Sequence, residues 1–219
     1  MTVKTPKLVS IEQVCDGWVK KHLLTYELPD GQLYEYHCAT RRNAEDFRKE
    51  LERNAKVSER VMQAIHAGEQ PPSVPAFTPD AVCIVARTPR DTLVMEREFR
   101  YPLNSWCIAF PAGLVDPGED IVTCAGRELS EETGYEVIPG APTRVLPQPG
   151  YSSTGLTDET VQVVFVEAEK AGPAHAEGNE LIEVFELPIA GLREFLDANT
   201  TPLGTRAQLI LEMIARTSA

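Results

Sequence analysis

Short runs of apolar and aromatic residues, separated by turn residues, characterise the first part of the chain. Between residues 7 and 42, Trp18–Tyr26 and Gln32–Tyr36 are rich in strand formers. Pro29-Asp30-Gly31, a strong turn signal, separates them. This pattern predicts a β-hairpin extension over residues 1–42.

A different spacing follows between residues 43 and 67. Apolar residues recur there at helical intervals with charged residues between them: Phe47, Leu51, Ala55, Met62 and Ile65. This spacing predicts a helix, with Asn43 as its cap and Gly68 as its end. Glu69–Pro79 contains four prolines and predicts a stiff linker, so residues 43–79 form a helical insert and linker.

Strand and helix patterns alternate from residue 80 to residue 219. Strands are predicted at Ala81–Ala86, Thr92–Glu96, Ser105–Phe110, Thr143–Leu146, Thr160–Glu167 and Leu181–Phe185. Helices are predicted at Asp120–Thr133, Ala190–Leu196 and Pro202–Ala215, the last with Thr201 as its cap. We therefore expect an α/β fold, a mixed sheet between helices in an α/β/α sandwich.

Composition narrows the class of protein. The 219 residues carry a net charge of −12, which argues against a nucleic-acid surface but not against an anionic substrate bound through metal ions. The five scattered cysteines favour reduced thiols in a cytoplasmic protein over a disulfide framework. The sequence contains no run that predicts a membrane span.

The predicted helix over Asp120–Thr133 concentrates acidic residues. Glu128 and Glu132 share one face and Glu131 lies beside them, a spacing that destabilises a helix through like-charge repulsion. We expect Arg127 to pair with one of them. Either a hard divalent cation neutralises the rest, or this is a solvated acidic face. We expect Glu132 to be partly exposed.

The segment Gly113–Tyr135 resembles the Nudix box of the Nudix hydrolases, G-x5-E-x7-R-E-U-x-E-E-x-G-U, in which U is a bulky apolar residue. The matching positions are Gly113, Glu119, Arg127, Glu128, Leu129, Glu131, Glu132 and Gly134, with Tyr135 a looser match. A long spaced pattern of this kind is specific. It implies the Nudix fold and cleavage of a nucleoside diphosphate linked to another group.

Segments outside the box resemble the ADP-ribose and ADP-sugar pyrophosphatases of this family. They are Glu98-Phe-Arg-Tyr-Pro102, Phe110-Pro-Ala-Gly113, Ser152–Glu159 and Glu180-Leu-Ile-Glu-Val184. The resemblance implies hydrolysis of ADP-ribose or a related ADP-sugar to AMP and a sugar phosphate. Two features depart from it: Ala109 stands where the family has glutamate, and the insert at 43–67 is longer than relatives carry.

The resemblance also implies roles for individual residues. Mg²⁺, with Mn²⁺ as an alternative, would be held by Glu128, Glu131, Glu132 and the Ala112 carbonyl. Glu180 would accept the proton of the attacking water. Glu159 is a second candidate for that role, and Glu131 and Glu132 belong to the catalytic set. Arg100 and Gly113 would lie against the substrate.

The N-terminal hairpin carries a further implied role. In relatives, two tryptophans from two subunits stack on the adenine. Trp18 matches the first, and Tyr34 aligns with the second by position but is not a tryptophan. The implied assembly is a homodimer with exchanged N-terminal strands. For Trp18, ordinary packing is the alternative. For the protein as a whole, the alternatives are another Nudix substrate, such as GDP-mannose or an oxidised nucleotide, and a non-catalytic ADP-ribose sensor.

Overall fold

A computed structural model describes residues 5–71, 77–175, 178 and 180–217, and the chain forms two compact units. Unit 1 comprises residues 1–77 and 151–159, and unit 2 comprises residues 78–150 and 160–219. The predicted linker falls partly on residues 72–76, which lie outside the described residues. The three-segment division predicted from sequence stays a prediction.

The described part of unit 1 is a small antiparallel sheet with one long helix. Its elements are β1 (Lys7–Cys15), β2 (Lys20–Glu27), β3 (Leu33–Thr40) and α1 (Ala44–Ala67). The predicted hairpin is confirmed as β2 and β3, paired antiparallel. The predicted helix ends are also confirmed: the Asn43 side chain accepts a hydrogen bond from the Asp46 amide, and Gly68 is left-handed.

A loop from a distant part of the sequence completes unit 1. The Ala39 amide donates to the Leu156 carbonyl at 2.9 Å, and the Tyr36 hydroxyl donates to the Gly155 carbonyl at 2.6 Å. Residues 151–159 are therefore tied to β3 by main-chain and side-chain bonds.

Within its described residues, unit 2 contains the larger sheet and three helices. Its elements begin with β4 (Ala81–Arg87), β5 (Thr92–Arg100), β6 (Ser105–Ala109), β7 (Ala112–Leu114), α2 (Ile121–Thr133), β8 (Tyr135–Val137) and β9 (Arg144–Val145). They continue with β11 (Thr160–Lys170), β12 (Ile182–Pro188), α3 (Leu192–Ala198) and α4 (Thr205–Thr217), while β10 (Gly150–Tyr151) crosses the boundary between the units. Short 3₁₀ turns occupy Tyr101–Leu103 and Ile189–Gly191.

The sheet of unit 2 is mixed. Its central strands run in the order β11-β4-β5-β12, with β11 and β4 parallel and β5 antiparallel to β12 and β6. Alternate residues of each strand face opposite helices: Val82 and Val94 pack towards α2, whereas Cys83 and Met95 pack towards α3 and α4. The expected α/β/α sandwich is confirmed.

The start predicted for the last helix is wrong. We expected the helix to begin at Pro202 with Thr201 as its cap, but α4 begins at Thr205. The Pro202 carbonyl instead accepts a hydrogen bond from the Ile108 amide at 2.8 Å, and Leu203 bridges the same strand. Main-chain pairing with β6 therefore prevails over the helix-start signal.

Two further expectations concern disulfide bonds and membrane-spanning helices. All five cysteines are free, as expected, and only Cys15 is exposed. Within the described ranges, no helix is long and apolar enough to cross a membrane.

Candidate active site

Helix α2 is positioned by signals that the sequence contains. The Asp120 side chain accepts hydrogen bonds from the amides of Val122 and Thr123, which caps the start. Gly134 ends the helix in a left-handed conformation. These caps fix which residues of the helix face β7 and the sheet.

Glu132 is buried, so its predicted partial exposure is wrong. The residue is 6% exposed, and its carboxylate accepts a hydrogen bond from the Ala112 amide at 3.0 Å. Burial, together with the charges of Glu128 and Glu180, raises the pKa of Glu132 to about 8, against the lowering effect of that hydrogen bond. The side chain is held close to the β7 backbone.

Arg127 pairs with three carboxylates rather than the single one expected. Its guanidinium lies 2.9 Å from Glu119, 2.8 Å from Glu128 and 3.1 Å from Glu131. The hydrogen bonds from Arg127 lower the pKa of Glu119 to about 2. Burial nonetheless raises the pKa of Glu128, because desolvation outweighs its bond to the same arginine. Arg127 thus anchors the loop before α2 to the helix.

Gly113 allows the close approach of Glu128 to β7. A Cβ atom at position 113 would lie 1.9 Å from the Cδ atom of Glu128. Any larger residue would push that carboxylate away, so the glycine fixes where Glu128 sits.

Two glutamates on β5 extend the acidic surface towards α2. Val94 packs in the core beneath α2, so Glu96 and Glu98, two and four residues further along the strand, lie on the same face. Glu96 is fully buried and neither carboxylate oxygen has a hydrogen-bond partner. Burial raises the pKa of Glu96 well above its ordinary value, and the charge of Glu132 adds to this.

The candidate base and the candidate phosphate contact also lie by this cluster. The charge of Glu180 raises the pKa values of Glu96, Glu98, Glu128 and Glu132, so Glu180 is close enough to interact electrostatically with all four. Arg100 pairs with Glu98 at 2.6 Å. The sheet and α2 therefore bring together residues more than eighty positions apart in sequence. We call Glu96, Glu98, Glu128, Glu132 and Glu180 the acid cluster.

The remaining predicted residues belong to unit 1. Glu159 pairs with Arg41 at 2.8 Å. Trp18 is 72% exposed, which excludes core packing within the chain, and Tyr34 is 50% exposed. Trp18 precedes β2, whereas Tyr34 lies opposite Tyr26 near the far end of that strand, about 20 Å along it. A single chain therefore does not place the two aromatic rings together.

The acid cluster fits a divalent cation by its donor chemistry. Hard cations prefer carboxylate and carbonyl oxygens, and burial together with neighbouring negative charge raises the pKa values of Glu96, Glu128 and Glu132 in the cluster. Among the described residues, no three His, Cys, Asp or Glu side chains are already arranged to hold a metal ion. Arg127 holds Glu128 and Glu131, so these two would exchange that partner for the ion.

Sequence reasoning missed Glu96. The sequence contains one signal for a functional role of Glu96: this charged residue directly follows the apolar run Leu93-Val-Met of a predicted strand. Only the strand register shows that it shares a face with the acids of α2.

The fold and the arginine-held acidic helix define the class of protein, a Nudix domain. The NUDIX domain family matches residues 77–204, more than half of the chain, so the chain belongs to that family and the resemblance of Gly113–Tyr135 is confirmed. A crystal structure of ADP compounds hydrolase has a TM-score of 0.69 at 17% identity, covering 100% of this chain and 96% of that one. At this identity the likeness shows the fold alone.

Curated relatives match part of the chain. The ADP-ribose pyrophosphatase of Saccharomyces cerevisiae is 43% identical over 102 residues, which cover 45% of this chain and 44% of the relative. The ADP-sugar pyrophosphatase of Mus musculus is 36% identical over 126 residues, covering 54% and 57%. The chain thus spans about half the length of these relatives.

Proposed function

We propose that the protein hydrolyses the diphosphate of ADP-ribose or a related ADP-sugar to AMP and a sugar phosphate, with Mg²⁺ or Mn²⁺. The observation that carries this proposal is the pair Glu128 and Glu132 of the acid cluster, held against the Ala112-Gly113 backbone of a Nudix domain. The names of the yeast and mouse relatives support the substrate class.

Side chains of the cluster have distinct parts in this proposal. Glu128, Glu132 and the Ala112 carbonyl would hold the divalent cation, with Glu131 as a supplementary ligand. When bound, such an ion neutralises phosphate charge and acidifies a coordinated water. Glu132 is already oriented by the Ala112 amide, and Gly113 keeps Glu128 close to the same strand.

Proton transfer and substrate contact fall to residues at the edge of the cluster. Glu180 accepts the proton of the attacking water, the role that the resemblance implies for it, since a carboxylate near an activated water suits proton abstraction. The Arg100 guanidinium donates to a phosphate oxygen in exchange for Glu98. Glu159, which pairs with Arg41 in unit 1, stays a predicted second base.

A substrate panel tests the proposal. ADP-ribose, ADP-glucose, GDP-mannose and a diadenosine polyphosphate are incubated with the protein and Mg²⁺, and nucleotide products are quantified by chromatography. We expect AMP from ADP-ribose or ADP-glucose at the highest kcat/KM. Preference for GDP-mannose would replace the substrate class. Tight binding of ADP-ribose without any product would favour a sensor.

A further inference from the structure

The Glu96 carboxylate is a buried charge-bearing group that the structure leaves without a partner. Its exposed fraction is 0%, and neither oxygen is hydrogen-bonded. Burial of such a group is costly unless it is paired or coordinates a metal. A side chain of this kind at the centre of a sheet strand therefore needs an explanation beyond packing.

The strand register shows where this carboxylate points. Val94 packs beneath α2, and Glu96 follows it on the same face of β5. The charges of Glu132, Glu98 and Glu180 all act on Glu96. The carboxylate thus lies within the acid cluster rather than under α3 and α4.

A small residue stands directly opposite Glu96. Glu96 pairs with Ala109 of β6 across the antiparallel ladder. Side chains at directly opposed positions emerge about 5 Å apart on one face. Ala109 is the position at which the family motif carries glutamate, so the acid absent from β6 has a counterpart directly opposite it on β5.

We propose that Glu96 takes the place of the acid missing at position 109 and supplies a further oxygen donor to a divalent cation held with Glu132 and Glu128. The inference rests on the proposed function, since that function calls for the cation. It differs from a structural role for Glu96, in which the side chain would only fill space between β5 and α2.

An exchange across the strand pair tests this assignment. The variants are Glu96→Gln, the double variant Glu96→Gln with Ala109→Glu, and the control Glu183→Gln. Glu183 is a glutamate of the neighbouring strand β12, but its side chain is 57% exposed and pairs with Arg97 of β5. The Mn²⁺ dissociation constant is measured by calorimetry on each full-length protein, together with AMP release from ADP-ribose.

Glu96→Gln should weaken Mn²⁺ binding by about tenfold or more. Ala109→Glu in that background should restore it to within about threefold, and Glu183→Gln should leave it unchanged. Mn²⁺ binding by Glu96→Gln equal to that of the wild type overturns the inference. So does weakened binding that Ala109→Glu does not rescue, because the two positions would then not be equivalent.

Two further readouts keep the result interpretable. If Glu96→Gln does not fold, Ala109→Glu alone places a second acid beside Glu96, and it should lower the melting temperature without metal while increasing the rise caused by Mn²⁺. An unchanged rise overturns the inference. If the wild type hydrolyses ADP-ribose but Glu96→Gln binds Mn²⁺ as tightly as the wild type does, only the assignment of Glu96 is refuted. If Glu96→Gln weakens Mn²⁺ binding and Ala109→Glu restores it, but the wild type does not hydrolyse ADP-ribose, only the proposed function is refuted.

Discussion

At the scale of single residues, Glu132 combines burial with a hydrogen bond that fixes its direction. The side chain is enclosed between α2 and β7, and the Ala112 amide donates to it. An ionised carboxylate in this setting is stabilised by one amide and opposed by neighbouring acids. The position therefore suits an ion ligand better than a purely structural contact.

Replacing that carboxylate with an amide should abolish most activity. Glu132→Gln keeps the shape of the side chain but removes the charge, and we expect kcat/KM for ADP-ribose to fall by about a hundredfold or more. Without metal, stability should be unchanged below about pH 4.5 and higher above it, where folding of the wild type must either protonate this carboxylate or bury its charge.

Glu136→Gln is the matched control for this prediction. Glu136 is an exposed residue of β8, four positions further along the chain. Its replacement should leave kcat/KM unchanged. Equal activity of Glu132→Gln and wild type would remove Glu132 from the catalytic set.

At the scale of elements, the end of α2 is fixed by backbone crowding as well as by helix geometry. Gly134 has φ +67°, and a Cβ atom there would lie 2.3 Å from the Gly172 carbonyl oxygen. The turn after α2 thus closes against the segment that follows β11 with room for glycine only.

Gly134→Ala should therefore destabilise the protein by about 2 kcal/mol or more, through the left-handed conformation and the backbone clash together. Gly140→Ala separates these effects, because Gly140 has φ +79° but open space around its Cα. The free energy of unfolding of that variant should be lower than that of the wild type by about 1 kcal/mol. Urea unfolding measures both free energies, and equal losses would show that the Gly172 contact contributes nothing.

Local signals predicted α1, α2 and the β2–β3 hairpin well, because Asn43, Asp120 and the turn glycines act through their immediate neighbours. Signals that depend on distant strands were not available from the sequence. The start of α4 was wrong because Pro202 pairs with β6, and the burial of Glu132 follows from β7 packing on α2. The role of Glu96 could not be predicted for the same reason, because the register of β5 with its neighbouring strands determines which residues surround it.

At the scale of the whole molecule, the buried acids predict how stability depends on pH. The pKa of Glu132 is about 8 in the fold against an ordinary value of 4.5, so the folded state binds more protons than the unfolded state between those values. Stability from this source is complete below about pH 4.5 and is lost as the pH rises through 8.

Urea unfolding in EDTA between pH 6.5 and 8 measures this loss. This window excludes the contribution of His22. Burial lowers the pKa of His22 from 6.5, so this residue changes the stability only below pH 6.5. Wild-type stability should fall across the window, and Glu132→Gln should show a smaller fall. Parallel curves for the two proteins would contradict the burial-driven shift.

The role of the N-terminal hairpin in substrate binding is tested at Trp18. Because this side chain is 72% exposed, Trp18→Ala should leave the unfolding free energy unchanged. If the ring stacks on adenine, KM for ADP-ribose should rise about tenfold with little change in kcat. Trp18→Phe, which keeps an aromatic face, should lie close to wild type. An unchanged KM in Trp18→Ala would exclude the indole from the adenine pocket.

The assignment of residues 151–159 to unit 1 has a consequence for biosynthesis. A ribosome that has made β1, β2, β3 and α1 must still translate residues 78–150 before the loop that binds β3 is available. At about 5–20 residues per second, the nascent N-terminal sheet waits for several seconds without that loop. During this interval Arg41 and Arg42 lack Glu159 and Asp158, their acidic partners in the finished protein. Unit 1 therefore cannot finish folding until residue 159 has been translated, long after its sheet and helix have been made.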